Sequence, residues 1–505
     1  MRPAYLWHMR ISLLLQVLLL VALHACQPAP DGARLSQQYC GSCHQYPEPG
    51  LLDRSTWERH VLPRMGYMLG IYTDTTERMA LFEAGDAGRR VRAAGIFPAQ
   101  PMLGEAEWRA ICDHYLRAAP DTLALPAMTR PTDSLPFFRP RIPALRLSPP
   151  STTLVDARDP WVGDAHTEAL YRLDAVGRTV AAARVREGAV HLHASATGYE
   201  VLVMGSFSPT DQASGFLLHL PGVAGGQTRV RIDSLQRPVH AAYADLDGDS
   251  LEDVVICEYG KWTGRLAWWQ AQPDGSYRPQ VLLPRAGTIR TEITDLDRDG
   301  LPDLLVLLGQ GDEGIMHFRN LGQGRFQGQW LLRFPASYGS SFFARCDWND
   351  DGYPDLLYTA GDNADYPPLL KPYHGVYVFV NDGRGRFSQA FFYHLPGAYG
   401  ASLHDFDQDG LRDLALISFF PDYARTPERG FVWLRGRGQG QFDAYTMPEA
   451  VAGRWLVMDS ADSDGDGDTD LMLGSLAFEV VPPGQWVQQW TRAGIPFLWL
   501  ENLAK

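Results

Sequence analysis

Five consecutive residues, Cys40-Gly41-Ser42-Cys43-His44, form the pattern C-x-x-C-H. At this spacing two thiols can attach a haem covalently, and the histidine that follows can ligate the iron. The sequence therefore predicts one covalently bound haem c, attached through Cys40 and Cys43 with His44 as an axial ligand.

A second polar pattern, D-x-D/N-x-D-G-x-x-D, occurs five times in the second half of the chain. Oxygens at positions one, three, five and nine can converge on a hard cation, while glycine at position six permits a sharp turn. We expect calcium at up to five sites, weaker where Ser250 replaces glycine and where Asn349 replaces an aspartate. The predicted ligands are Asp245, Asp247, Asp249, Asp253, Asp295, Asp297, Asp299, Asp303, Asp347, Asn349, Asp351, Asp355, Asp405, Asp407, Asp409, Asp413, Asp462, Asp464, Asp466 and Asp470.

The copies of this acidic pattern are spaced by 50, 52, 58 and 57 residues, and each leads into an apolar strand such as Val254-Val255-Ile256. This period is typical of a four-stranded propeller blade rather than of a helical solenoid. Two degenerate blades precede the five, one around Gly198 and one with four short strands between residues 153 and 181. The sequence thus predicts seven blades. We expect the segment around Leu145-Arg146-Leu147 to supply the strand that closes the ring.

The repeated half resembles the FG-GAP or VCBS repeat family over roughly 350 residues. This resemblance implies an all-β, seven-bladed, calcium-stiffened β-propeller over residues 150–505. It implies no reaction, because propellers carry adhesive, lectin-like and enzymatic functions alike.

The segment 33–122, which contains the C-x-x-C-H pattern, resembles a small class I cytochrome c. The fold class implied is a small all-α domain followed by the all-β propeller, joined by a proline-rich linker over residues 123–149. Trp57 to Met65 resembles the pattern that supplies an axial methionine in some short cytochromes, so we favour Met65 as the sixth ligand. Met102 and Met68 are the alternatives.

The N-terminus carries Arg2 and Arg10 before the apolar run from Ile11 to Leu23, as in a signal peptide. Leu23-His24-Ala25-Cys26 resembles a bacterial lipobox, which predicts a signal over residues 1–25 and lipidation of Cys26. We therefore expect an exported lipoprotein, tethered to the periplasmic or surface side of the outer membrane. The formal net charge of −14 argues against nucleic acid as a partner.

The loops that join second to third strands are long in the last three blades and rich in polar and aromatic residues. Functional residues concentrate in such loops on rigid scaffolds. We predict that this long-loop face meets a redox protein partner or a small-molecule substrate. Its candidate residues are Asp312, Glu313, Asp362, Asn363, Asp365, Tyr366, Lys371, Tyr373, His374, Asp422, Tyr423, Trp486 and Trp490.

Three functions remain open from the sequence. An electron carrier whose propeller docks a partner requires the fewest unseen parts, and we favour it. A redox enzyme that oxidises a sugar or alcohol at the long-loop face and passes electrons to the haem is the first alternative. A surface lipoprotein that binds polysaccharide or protein is the second.

Overall fold

The structure, a computed structural model, describes residues 30–222, 227–364, 367–480 and 482–504. The predicted signal segment and Cys26 lie outside the described residues, and so do Asp365 and Tyr366. Within the described ranges, no helix combines the length and apolar character needed to cross a membrane.

The acidic repeats lead into strands that are buried along their whole length, as in Asp253–Glu258 and Asp413–Ser418. A short apolar run bounded by turns is expected to form such a central strand. Each of the first three sheets contains four antiparallel strands, and these sheets follow one another along the chain. They are β3 Thr152–Asp156, β4 Trp161–Asp164, β5 Ala169–Leu173 and β6 Thr179–Arg184; β7 Ala189–Ser195, β8 Gly198–Val203, β9 Gly215–Pro221 and β10 Arg229–Leu235; and β11 Pro238–Ala244, β12 Asp253–Glu258, β13 Arg265–Ala271 and β14 Tyr277–Leu283.

The remaining four sheets complete a seven-bladed β-propeller, which confirms the predicted number of blades. Their cores lie between neighbouring sheets, where Val255 of one blade packs in the same cluster as Val306 of the next. Their strands are β15 Thr288–Thr294, β16 Asp303–Gln310, β17 Asp312–Asn320 and β18 Phe326–Phe334; β19 Ser340–Cys346, β20 Asp355–Ala360, β21 Gly375–Asn381 and β22 Phe387–His394; β23 Ala398–His404, β24 Asp413–Ser418, β25 Phe431–Gly436 and β26 Phe442–Thr446; and β27 Trp455–Ala461, β28 Asp470–Ser475 and β29 Phe497–Asn502 with β2 Phe138–Arg141.

The strand that closes the ring is β2, and not the segment around Leu145-Arg146-Leu147 that we expected. Strand β2 pairs antiparallel with β29, with Phe138 opposite Asn502. The buried Phe138 ring packs 5.5 Å from Phe406 and 5.6 Å from Trp433. Leu145 and Leu147 make single backbone hydrogen bonds instead. Phe138 favours β2 as the closing strand, because its ring fills space between blades six and seven.

Upstream of β2, strand β1 (Thr132–Asp133) pairs in parallel with β26 as a fifth strand of blade six. Two strands therefore lie within the predicted linker over residues 123–149. This stretch therefore pairs with strands of blades six and seven and does not form a separate linker between the helices and the propeller.

The N-terminal part of the described chain is helical. Its elements enclose a hydrophobic core that includes Leu35, Trp57 and Ile111. At Gly32 an added Cβ would lie 2.0 Å from the Ala110 carbonyl oxygen, so glycine is required where the first and last of these helices cross. The helices are α1 Gly32–Cys40, α2 Arg54–Thr56, α3 Leu62–Met68, α4 Thr75–Ala80, α5 Gly85–Ala93 and α6 Glu105–Ala118.

A π-helical turn, Trp57–Val61, joins α2 to α3 into one continuous rod. The sequence around Ser55 predicts a capping box at its start, but the cap is Asp53. The Asp53 carboxylate accepts the Thr56 N–H at 3.0 Å and the Thr56 hydroxyl at 2.7 Å, so Ser55 already belongs to the first turn. A further helix, α7 Trp486–Ala493, lies in the last long loop of the propeller.

Candidate functional site

Cys40 is the last residue of α1, and Cys43 and His44 follow in the turn beyond it. Neither thiol is in a disulfide. The Cys43 side chain is exposed, whereas Cys40 packs against the hydrophobic core of the helices. Burial raises the pKa of Cys40. The end of α1 and the turn beyond it thus carry two free thiols and an imidazole within five consecutive residues.

His44 is 9% exposed, and its Nδ1 lies 3.0 Å from the Gln45 carbonyl oxygen. A carbonyl oxygen can only accept, so Nδ1 carries the proton in this contact and Nε2 keeps its lone pair. Metal-ligating histidines are usually oriented in this way by a hydrogen bond at the other nitrogen.

The three candidate methionines lie in different surroundings. Met65 on α3 packs against the same core cluster as Cys40. Met68, three residues further along α3, lines a cavity. Met102 is 52% exposed in the loop before α6. Of the three methionines, Met65 is thus the one that packs against the core cluster that Cys40 also contacts.

The acidic loops join the first and second strands of blades three to seven. In four of them, three carboxylates offer oxygens within 4.8 Å of one another. In the third loop, where Asn349 replaces an aspartate, the described residues form no such group. The close groups are Asp245, Asp247 and Asp253; Asp295, Asp297 and Asp299; Asp405, Asp407 and Asp413; and Asp462, Asp464 and Asp466.

The ninth position of each loop has a structural role as well. Asp253 is fully buried, and its two oxygens accept the N–H groups of Leu246 at 3.2 Å and Ala271 at 2.7 Å. The same pair of contacts recurs at Asp413, with Phe406 and Gly436 as donors. These carboxylates tie the loop to the third strand of their own blade.

Arginines partly neutralise two of the loops. Arg319 on β17 forms ion pairs with Asp297 and, at 3.2 Å, with Asp299. Arg435 on β25 pairs in the same way with Asp407 and, at 3.1 Å, with Asp409. These guanidinium groups therefore approach the third- and fifth-position carboxylates at which a cation would bind.

The fifth loop contains an acidic residue that the sequence pattern missed. Asp468, at position seven, is 4% exposed, and both of its oxygens are buried without a hydrogen-bond partner among the described residues. Burial and the neighbouring Asp466 raise its pKa to about 7. In such loops the seventh residue usually offers its backbone carbonyl oxygen, so the Asp468 side chain was not among the predicted ligands.

Many residues of the predicted long-loop face are interior. Glu313 is 2% exposed and accepts the Ser340 N–H at 2.7 Å and its hydroxyl at 2.8 Å. Burial raises the pKa of Glu313 to about 7. The buried Lys371 donates to the Ser337 carbonyl oxygen at 3.0 Å. Asn363, His374 and Trp490 are buried as well, and so is Asp312, which belongs to strand β17 with Glu313 rather than to a loop.

Other predicted residues of this face lie nearer its surface. The Tyr373 hydroxyl donates to the Leu51 carbonyl oxygen of the helical segment at 2.9 Å. Tyr423 lies 5.7 Å from both Trp486 and Trp490, with Asp422 in the adjoining turn. Asp362 lines the cavity described below. Part of the long-loop face therefore contacts the helices, and the face is not exposed to solvent over its whole area.

The helical segment contacts this face through a polar and aromatic cluster. Glu83 forms an ion pair with Lys261 at 2.9 Å and accepts the Thr210 hydroxyl. The ring of Phe97 lies 5.2 Å from that of Trp262. These contacts join the α4–α6 region to the second and third blades.

A cavity of about 730 Å³ lies between the helices and the mouth of the propeller. The α3 residues Arg64, Tyr67 and Met68 form part of its wall on the helical side. Phe342, Phe419 and other side chains from several blades form the opposite wall. A cavity of this size can enclose a small organic molecule.

Comparison with known proteins identifies the repeat. A family model described as an FG-GAP-like repeat matches residues 245–306, 295–358, 347–416 and 405–473. These four overlapping matches cover all five acidic loops. The FG-GAP repeats predicted from the acidic pattern are therefore confirmed. No curated protein matches the chain.

Solved structures with similar backbones share little sequence with this chain. BBS1N, in a complex with ARL6DN, is 9% identical, and the match covers 72% of this chain and 97% of that one with a TM-score of 0.42. Sqt1 of Saccharomyces cerevisiae is 8% identical over 74% and 100% of the two chains, with a TM-score of 0.41. A lectin of Agrocybe aegerita specific for non-reducing terminal N-acetylglucosamine is 13% identical over 61% and 96%, with a TM-score of 0.31.

Proposed function

We propose that this protein is an exported electron-transfer protein with one covalently attached haem c, whose FG-GAP propeller binds calcium and docks a redox partner. The partner surface would be the exposed rim of the long-loop face together with the outer side of the helices. Lipid attached at Cys26 would hold the molecule at a membrane surface.

The observation that carries the haem assignment is the orientation of His44. Its Nδ1 bonds to the Gln45 carbonyl oxygen, so Nε2 is ready to coordinate iron, and the two reduced thiols stand in the same turn. When bound, the haem would supply the one-electron chemistry. Met65 would complete the axial pair, since it packs against the core cluster that Cys40 also contacts.

Maturation of the chain with the haem-attachment machinery tests this assignment. We expect a mass increase of one haem and a c-type absorbance spectrum, both lost in the double variant Cys40→Ala, Cys43→Ala. Cys112→Ala is the matched control, because Cys112 lies beside the same core cluster but outside the motif. Wild-type protein without covalent haem after such maturation would refute the assignment.

Calcium is supported most strongly at the fifth loop. Asp462, Asp464 and Asp466 bring oxygens together, and the buried Asp468 carboxylate has no partner among the described residues. A buried charge without a partner is costly, and a bound cation would compensate it. Elemental analysis of protein dialysed against trace calcium tests the proposal, which fails if no calcium is retained.

The membrane tether is tested separately. We expect wild-type protein to fractionate with membranes and Cys26→Ser protein to appear in the soluble fraction. Equal distribution of the two proteins would contradict lipidation at Cys26.

A redox enzyme is the second candidate, and the cavity is the observation that favours it. The cavity lies against α3, the helix that carries Met65, so a substrate held there would lie close to the proposed haem. The ferric holoprotein should then be reduced by a sugar or alcohol from a broad panel. Reduction would support the enzyme, whereas no reduction across the panel would favour the carrier.

A further inference from the structure

Two side chains in the wall of the cavity between the helices and the propeller each have a buried polar atom without a hydrogen-bond partner among the described residues. Arg237, just before β11, and Gln310, the last residue of β16, both line it. The Arg237 Nε and the Gln310 Oε1 are buried and have no hydrogen-bond partner among the described residues. Buried polar groups are normally paired, so these two require an explanation.

One loop contacts both of these side chains. Arg237 donates to the Gly260 carbonyl oxygen at 3.5 Å, and the Gln310 amide nitrogen donates to the carbonyl oxygen of the next residue, Lys261. Because a carbonyl oxygen accepts only, the Gln310 amide is oriented with its Oε1 away from Lys261. Two consecutive residues of one loop thus accept hydrogen bonds from the Arg237 guanidinium and the Gln310 amide.

Both hydrogen bonds of Arg237 go to neutral carbonyl oxygens. The second, at 3.0 Å, goes to the Phe207 carbonyl oxygen. Its guanidinium also lies 5.3 Å from the centre of the Tyr259 ring. Burial lowers the pKa of Arg237, although Asp362 and Glu479 on the cavity wall act in the opposite direction. An anion delivered to this site would gain a charged partner.

The other cations of the propeller wall are already paired. Lys261 bonds to Glu83 at 2.9 Å, and Arg290 bonds to Glu292 at 2.8 Å. Burial and the nearby Arg290 hold the pKa of His240 well below its usual range, so this imidazole is neutral. On the propeller side, therefore, Arg237 is the cation best placed to receive a ligand carboxylate.

The φ of Arg237 is +46°, in the left-handed region that a side-chain-bearing residue adopts only at a cost. The cavity wall also includes aromatic side chains, among them Phe207, Phe342, Phe419 and Phe420.

We propose that this cavity binds a small hydroxy acid with an apolar body, its carboxylate on Arg237 and its hydroxyl donating to Gln310. The carboxylate would satisfy the Arg237 Nε–H with a charge-assisted bond, and the hydroxyl would satisfy the Gln310 Oε1. The aromatic wall would enclose the rest of the molecule. This site does not depend on the haem, so it stands or falls separately from the proposed electron-transfer function.

Three small molecules test the contribution of each polar contact to binding separately. Mandelate carries both groups, phenylacetate lacks the hydroxyl, and methyl mandelate lacks the charge. We expect titration calorimetry of the full-length protein to give the tightest binding for mandelate. Removal of either group should weaken binding by about tenfold or more, as expected when a buried polar group is left unpaired.

Two variants assign the contacts. Arg237→Gln should abolish the preference for mandelate over methyl mandelate, and Gln310→Leu should abolish its preference over phenylacetate. Arg278→Gln, on the exposed face of β14, is the matched control and should keep both preferences. Melting temperatures identify a variant that fails to fold, and the comparison of the three probes on wild-type protein is independent of every variant. Equal affinities of wild-type protein for the three probes, or no binding of any, would overturn the proposal.

Discussion

At the scale of single residues, the environment of a side chain separates candidates that look alike in sequence. Met65 and Met68 are three positions apart on α3, yet one packs on the helical core and the other lines the cavity. Glu313 and Asp312 are adjacent, but Asp312 bonds to Arg285 and Arg333, whereas the oxygens of Glu313 accept neutral donors. Burial and partners, rather than residue type, decide what each can do.

The axial methionine can be tested by a matched pair of variants in the haem-loaded protein. Met65→Ala should remove the sulfur–iron absorbance band and lower the reduction potential on the order of 0.1 V, because a thioether ligand favours ferrous haem. Met68→Ala should leave the band and the potential unchanged. Loss of the band in Met68→Ala alone would transfer the assignment to Met68.

Glu313 should make stability depend on pH. Its folded-state pKa is raised to about 7 by burial, so the folded state holds its proton more tightly than the unfolded state, in which such groups titrate near 4.3. The resulting stabilisation is complete below that unfolded-state pKa and is lost as the pH rises through about 7. Thermal unfolding should show a smaller loss of stability between pH 5 and pH 8 in Glu313→Gln than in wild type. The control Glu58→Gln, at an exposed site, should keep the wild-type loss.

At the scale of elements, the acidic loops share one sequence pattern but differ in their partners. Arg319 forms ion pairs with carboxylates of loop two, and Arg435 does so in loop four. Loop five instead has the additional buried Asp468. The arginines of loops two and four lie on the third strand of their blade, outside the nine-residue pattern, whereas Asp468 lies inside it at position seven. We therefore expect the loops to differ in their dependence on calcium.

Calcium added to chelated protein should raise the melting temperature, and variants at position three should show which loop is responsible. Asp464→Asn in loop five should lose more of this stabilisation than Asp297→Asn in loop two, because Arg319 already neutralises Asp297. Differential scanning calorimetry measures the shift. An equal loss in the two variants would contradict the difference between the loops.

Strand β2 should contribute to stability through one aromatic residue. Phe138→Ala removes a ring that is 5% exposed, and it should cost about 3–5 kcal/mol of unfolding free energy in denaturant titrations. Leu145→Ala, in the segment first expected to close the ring, should cost less, because Leu145 is only half-buried. The reverse order would show that Leu145 has the larger role in closing the ring.

At the scale of the whole molecule, the helices lie on the long-loop face of the propeller and cover the cavity at its mouth. The contacts are few and specific: the Glu83–Lys261 ion pair, the Phe97–Trp262 ring pair and the Tyr373–Leu51 hydrogen bond. They hold the helices on the long-loop face, whereas the acidic loops lie at the opposite face of the propeller.

Weakening the contacts between the helices and the propeller should make the chain segment that joins them more accessible to proteases. Trp262→Ala should increase the rate of proteolysis between residues 122 and 131 several-fold, with the melting of the propeller little changed. Trp486→Ala, whose ring stacks on Trp490 within the last long loop, is the control and should be cut at the wild-type rate. Equal rates in Trp262→Ala and wild type would show that this ring pair does not hold the helices.

Features that depend on local patterns could be predicted from the residues alone. The C-x-x-C-H motif, the acidic repeats and their period follow from residue spacing along the chain, and the period together with two degenerate blades upstream predicted seven blades. The apolar runs after the acidic loops also predicted the central strands, because strand patterns are local. Each of these features involves residues close together in the chain.

Which distant residues meet is known only from the folded molecule. Phe138 closes the ring with Asn502, Arg319 reaches the second acidic loop from another strand, and Arg237 and Gln310 bond to consecutive residues of one loop. Six of the predicted long-loop residues are buried, and Tyr373 bonds to the helical segment. Such pairings depend on shape and burial across blades, and neither is encoded in the spacing of residues along one segment.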